Sequence, residues 1–337
     1  MRCSRIIAWA AAIAAVACMS LPELASAAAQ VRLGVVNWIG YGPIYCAAAN
    51  GYYRKYGSDV QLVTFSDNSL MSGALEGGEL HASTLTYDQV IMAASKGWKL
   101  KVVMPLDYSM GGDAIVSRAA IHSVSELKGR KVAFQPLSPS DFLLAYALAK
   151  SGLSQKDIRA INSTPEQVVA VMASGAVDAG VTYEPSVSMI SKLGGGTQFH
   201  VLLSSREARG MITDVLALTD STIAKDPKLV EALIRGTLDG LDYMRKEPDK
   251  AAVLISKALG IGVDDVKAQL ANVENPPLSQ LGDVFKKSPL LPSFYASGSI
   301  IGDILKKEGQ IQALPPIEAT YDASFVASLQ AHPGDPR

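Results

Sequence analysis

From Val31 onward, short β-rich runs alternate with helical stretches, and that alternation leaves few folds open. Val31–Val36, Val60–Phe65, His81–Thr86 and Leu100–Pro105 read as strands, with helices expected over Pro43–Tyr56, Ser69–Glu76 and Asp88–Ser95. Such a pattern builds parallel βαβ units whose helices cover the sheet. Near Asp113–Ser117 the rhythm changes and a second alternation begins. It runs through strands at Lys131–Phe134, Arg159–Asn162, Ala179–Tyr183 and His200–Ser204, with helices from Pro139, Pro165 and Pro185 between them. Val215–Thr219 returns the chain to the first unit, and the stretch from Pro227 to Leu329 reads as mainly helical. The expectation is an α/β protein of two lobes, each a mostly parallel sheet with flanking helices. Lobe one takes residues 31–117 and 214–330, lobe two takes 118–213, and a ligand cleft lies between them. A chain of 337 residues is long enough for both.

The helix starts are legible from proline. Gly42-Pro43, Ser138-Pro139, Thr164-Pro165, Glu184-Pro185, Asp226-Pro227 and Glu247-Pro248 each put Pro where a first helical residue belongs. Its missing N–H would have no intrahelical partner there, and Ser138, Thr164 and Asp226 can cap the exposed amides. Four of these starts follow expected strands, at the carboxyl edge where open α/β sheets bind ligands.

The N-terminal segment reads as an export signal: Arg2 and Arg5, an apolar run from Ile6 to Ala17, Pro22, then Ala25-Ser26-Ala27. Residues 1–27 are expected to be removed, with cleavage after Ala27 or Ala29, and the mature protein is expected in the periplasm. Lipid anchoring at Cys18, in Ala15-Val16-Ala17-Cys18, is the alternative. Of Cys3, Cys18 and Cys46, only Cys46 survives cleavage after Ala27. No internal disulfide is then possible, and Cys46 reads as a buried, inert thiol. The formal charge of −1 becomes −2 once Arg2, Arg5 and Glu23 are gone, leaving 29 basic and 31 acidic side chains. A near-neutral chain offers no basic surface for nucleic acid.

No metalloprotease, phosphate-loop, nucleophile-elbow or dinucleotide motif occurs, and the four histidines share no metal spacing. No catalytic residue, metal or cofactor is predicted. Aromatic and acidic residues do gather at the strand exits: Trp38 and Tyr41, Thr86 and Tyr87, Asp107, Asp113, Ser138 and Ser140, Glu184 and Asp214. Flat aromatic walls with carboxylates suit a small cationic or amide-rich molecule. Each has a plainer role open to it. Trp38 can fill core, Asp113 can pair with a lysine, Ser138 can act only as a cap, Glu184 can serve the helix dipole, and Asp214 can be a hinge hydrogen-bonder.

These stretches resemble a known family. Asn37-Trp38-Ile39-Gly40-Tyr41-Gly42-Pro43-Ile44-Tyr45, Gly51-Tyr52-Tyr53 and the run from Leu106 to Val116 match it in order and spacing. So do Ser123-Val124-Ser125-Glu126-Leu127-Lys128-Gly129-Arg130-Lys131-Val132-Ala133 and Thr182-Tyr183-Glu184-Pro185. The chain resembles the periplasmic solute-binding proteins of nitrate/sulfonate/taurine-type ABC importers, related to thiamine-pyrimidine precursor binders. The resemblance implies a type II periplasmic-binding-protein fold, closure of two lobes on a small solute, and delivery to a membrane ABC permease. It also implies a monomer without enzymatic activity, and a ligand shell at the strand exits named above. Scarce basic residues near that cleft favour an amine, guanidino compound or pyrimidine over nitrate or a bare sulfonate. A pyrimidine-synthase-like enzyme and a ligand-sensing receptor component are the alternatives, although the cysteine run of the enzyme branch is missing.

Overall fold

A computed structural model describes residues 30–332, so the expected export signal, with Cys3 and Cys18, lies outside the described residues. Two sheets form. The first holds six strands in the order β11-β4-β10-β3-β1-β2: β1 (Val31–Val35), β2 (Val60–Thr64), β3 (Ala82–Thr86), β4 (Leu100–Ser109), β10 (Thr213–Thr219) and β11 (Val273–Glu274). The second holds five in the order β7-β6-β8-β5-β9: β5 (Asp113–Arg118), β6 (Lys131–Phe134), β7 (Arg159–Asn162), β8 (Ala179–Tyr183) and β9 (Phe199–Ser204). In the first, β1 pairs in parallel with β2 and β3, while β10 runs antiparallel between β3 and β4. In the second, β6 pairs in parallel with β7 and β8, and β5 runs antiparallel between β8 and β9.

The strand Asp113–Arg118 corrects the lobe boundary expected at residue 118: it hydrogen-bonds wholly within the second sheet. Its sequence is compatible with either sheet, and only non-local pairing decides. Between Ser109 and Asp113 the chain passes from the first sheet to the second, and between Ser204 and Thr213 it passes back. The two crossings lie side by side, because β4 pairs with β10 and β5 with β9. A hydrogen bond of 2.7 Å between the Ser109 and Ser205 hydroxyls ties them, and the Gly111 N–H donates to Ser205 Oγ at 2.8 Å.

Helices pack on both sheets. Ser138, Thr164 and Asp226 each cap a helix by accepting from a backbone N–H in its first turn. Pro139, Pro165, Pro227 and Pro248 open their helices as expected. Pro185 instead lies just before Ser186–Ser191, after a cis peptide bond. The helix expected over Pro43–Tyr56 is two, Gly42–Asn50 and Tyr52–Lys55, because Gly51 adopts φ +71 and ends the first. Beyond residue 226 the chain is mainly helical and wraps the first sheet, adding only the edge strand β11. Among the described residues, no helix is long and apolar enough to cross a membrane. One large apolar core joins both lobes, with a smaller cluster around Ala114, Val168, Met172 and Ile190 beneath the second sheet.

Candidate ligand cleft between the two sheets

The strand tips of the two sheets meet around a narrow internal space. Its walls are Val36, Trp38, Tyr41, Asn68, Thr84, Thr86, Gln89, Asp113, Pro139, Tyr183, Ile212 and Asp214. The centre of a water-sized sphere can move through about 10 Å³ of it, roughly room for one water. Anything larger requires the lobes to part. A wider groove of about 740 Å³ lies on the outer surface beside Tyr56, Asp239, Asp242 and Lys286. It shares no lining residue with the space between the strand tips and is edged by surface ion pairs such as Lys55–Asp239, so the convergence of aromatic and acidic side chains singles out the smaller space.

Trp38 follows β1 and stands on Asp107, to whose two carboxylate oxygens its indole N–H donates at 3.2 and 3.1 Å. Its ring meets Tyr183 of the other lobe edge-on, with centroids 5.8 Å apart and planes at 87°. Glycine clears the space it needs. A Cβ at Gly112 would lie 2.4 Å from the Trp38 ring, and one at Gly40 would lie 2.2 Å from its nitrogen. The Tyr41 hydroxyl donates to Asp214 Oδ1 at 2.5 Å. Burial, reinforced by the Asp214 charge, pushes the pKa of that phenol well up.

Five carboxyls lie in or just behind the cleft, and burial raises the pKa of every one. Asp113 is pushed up to about 7 and Asp88 to about 6, burial being the largest cause at each and neighbouring carboxylates adding to it. Asp107 and Asp214 are raised by burial, and Asp214 is raised further by Asp107. Glu184 is raised by burial against the opposing pull of its hydrogen bonds from Ser188. None of the cavity-lining residues is Lys, Arg or His.

Of the ten residues singled out in the sequence, Trp38, Tyr41, Thr86, Asp113 and Asp214 line the space. The others do not. Asp107 lies directly behind Trp38 and Asp214, fully buried. Tyr87 turns away into the first lobe, stacked on Phe294 at 3.8 Å and hydrogen-bonded to Thr320. A helix turns by about 100° per residue, so Thr86 and Tyr87 cannot share a face. Ser138 is a cap, accepting from the Ser140 N–H at 3.2 Å while donating to the Gln135 carbonyl at 2.7 Å. The Ser140 hydroxyl is buried with no hydrogen-bond partner among the described residues and lies outside the lining. Glu184 accepts from the Ser188 N–H and hydroxyl at 3.0 and 2.8 Å, holding the first turn of the Ser186–Ser191 helix. His81 accepts the Arg32 N–H, as a packed structural histidine does.

Sequence reading missed Asn68 and Gln89, while Tyr183, at the exit of its strand, also lines the space. The Asn68 side chain donates to the Tyr183 hydroxyl at 3.0 Å and its N–H reaches Gln135 Oε1 at 3.4 Å. Gln135 in turn donates to Asp67 at 2.7 Å. Gln89 accepts the Thr86 N–H and donates to the Asn68 carbonyl at 3.2 Å. The bonds from Asn68 to Tyr183 and Gln135, and from Gln135 to Asp67, clasp lobe one to lobe two across the cleft mouth, while Gln89 braces Asn68 within lobe one.

Comparison with known proteins agrees with this architecture. The alkanesulfonate-binding protein SsuA of Xanthomonas axonopodis, solved with MOPS, superposes with TM-score 0.71 at 19% identity, covering 88% of this chain and 99% of that one. The fold is therefore the two-lobed α/β fold of periplasmic binding proteins. The taurine-binding periplasmic protein of Escherichia coli is 23% identical over 234 residues, 68% of this chain and 72% of that protein. The riboflavin-binding protein RibY of Chloroflexus aurantiacus is 27% identical over 219 residues, 63% of this chain and 61% of that protein. The NMT1/THI5 like family model matches residues 38–251, from the Trp38 segment through both lobes. The chain belongs to the NMT1/THI5-like family.

Proposed function

We propose that this protein is the periplasmic solute-binding component of an ABC importer, and that its solute is a small cation or N–H-rich molecule of the amine, guanidino or pyrimidine class. One observation carries the reading. The space between the lobes is walled by Trp38, Tyr41 and Tyr183 and by the carboxyls of Asp113 and Asp214, with no basic side chain. Aromatic faces attract cations and carboxylates accept N–H bonds, whereas a bare nitrate or sulfonate would find no cationic side chain in the lining to pair with. Taurine-, sulfonate- and riboflavin-binding relatives support solute capture as the common role. Side chains from both lobes touch the space, so an occupant gains contacts only on closure, which is what couples binding to lobe motion.

Cys46, the one cysteine among the described residues, is buried, and burial pushes its thiol up to about 12. Thermal-shift screening of the mature protein against amines, guanidines, aminopyrimidines, sulfonates and nitrate tests the assignment. A ligand at about 100 times its Kd adds about 2.7 kcal/mol of stability. Cationic or amino-pyrimidine compounds are expected to raise Tm, and Trp38→Ala to abolish the rise. Tight binding confined to strong anions sinks the reading.

A further inference from the structure

This inference rests on the solute-binding reading and concerns the charge that the same cleft presents. Asp107 of β4 and Asp214 of β10 are cross-strand partners in the register of the first sheet. They are 0% and 4% exposed. Like charges placed directly opposite are unfavourable even at a surface, and here no solvent separates them. Two buried carboxyls held on facing positions of neighbouring strands avoid that repulsion only while one keeps its proton.

The surrounding donors fix which oxygens are engaged. The Trp38 indole N–H takes both Asp107 oxygens, and the Tyr41 hydroxyl takes Asp214 Oδ1. The titratable groups facing the pair come from every neighbouring element. They are Tyr41 and Tyr45 from the segment after β1, Asp88 from the Tyr87–Ser95 helix and Tyr108 from β4 itself. Asp113 of β5 and Tyr183 of β8 face it from the other lobe. All are acids or phenols, so none supplies a compensating positive charge.

We propose that Asp107 and Asp214 hold one proton between them at neutral pH, so that the cleft presents one negative charge from the pair rather than two, and that this proton sets the cleft's charge toward its ligand. Loss of the proton breaks one carboxyl O–H bond, sends H⁺ to bulk water and takes the pair from −1 to −2. A cation entering beside Asp214 favours that loss, so affinity for cations rises with pH. Asp107 does not line the cavity. It is a positioning residue that orients Trp38 and controls the protonation of Asp214.

Carbon-13 NMR titration of aspartate-labelled mature protein reads this without any ligand. The pair is expected to titrate in two separated steps, one below neutrality and one above it. Asp107→Asn should collapse them to a single step for Asp214, and Tyr41→Phe, which removes one donor to the ionised form, should move the upper step higher. Both carboxyls ionising together in the ordinary aspartate range in the wild-type protein overturns the proposal, whether or not the variants fold. A flat thermal-shift screen would instead count against the solute-binding reading, so the two failures are distinguishable.

Discussion

At the scale of single residues, the cleft is built from groups that weaken the folded state when charged. Asp113 shows this most directly: it is 2% exposed, and burial pushes its carboxyl up to about 7. The folded protein therefore binds this proton more tightly than the unfolded chain, whose aspartates titrate at about 3.9. The resulting stabilisation is fully present below about pH 4 and is lost as pH rises through about 7. A tenfold difference in proton affinity is worth about 1.4 kcal/mol, so with its carboxyl moved from about 4 to about 7, Asp113→Asn should be more stable than wild type at pH 8 by on the order of 4 kcal/mol. The gap should close near pH 4. Urea denaturation at pH 4, 6 and 8 measures it, and calorimetry on the same variant should show lost affinity for cations. A variant no more stable than wild type at pH 8 would mean that the carboxylate has solvent or a cation beside it.

At the scale of elements, local chemistry was readable and pairing was not. The caps at Ser138, Thr164 and Asp226 depend only on a few neighbouring residues, and the structure forms all three. Ser138→Ala should cost about 1 kcal/mol in thermal unfolding while leaving ligand affinity unchanged, because Ser138 faces the Gln135 carbonyl rather than the cleft. An affinity loss as large as that of Trp38→Ala would return Ser138 to the ligand shell. Just before it, Leu137 takes φ +58, the one left-handed non-glycine among the described residues. Its N–H donates to Asp141 at 2.7 Å and its carbonyl lies 3.5 Å from the Gln89 amide of the other lobe. The placement of Asp113–Arg118 in the second sheet was hidden, as was the partnership of Glu184 with Ser188. Asn68 and Gln89 escaped notice for the opposite reason. A lone Asn in a loop and a Gln in a first helical turn look like ordinary surface polarity until the far lobe arrives beside them.

At the scale of the whole molecule, the lobes touch through a clasp of side-chain amides, one carboxyl and one phenol. Asn68, Gln89 and Asp67 stand on one side, with Gln135, Tyr183 and the Leu137 carbonyl on the other. Asp141–Gln310 and Lys192–Asp265 add contacts further out. Individual bonds of this kind contribute about 1 kcal/mol each, so removing the three that the Asn68 and Gln135 side chains make across the cleft should move the balance between closed and open forms by on the order of a hundredfold. The double variant Asn68→Ala, Gln135→Ala is expected to show a larger radius of gyration than wild type in small-angle scattering, and weaker ligand binding with unchanged Tm. An identical scattering profile would place the closing force in the ligand contacts instead. The paired crossings, stitched by Ser109 and Ser205, govern how such opening can proceed. Two straps fastened side by side behave like the pins of a door: they permit swing about one line and resist skew. Each time the halves swing shut, Asn68 arrives opposite Tyr183 and not a neighbour, so the precision of capture is set some distance behind the place where the cargo sits.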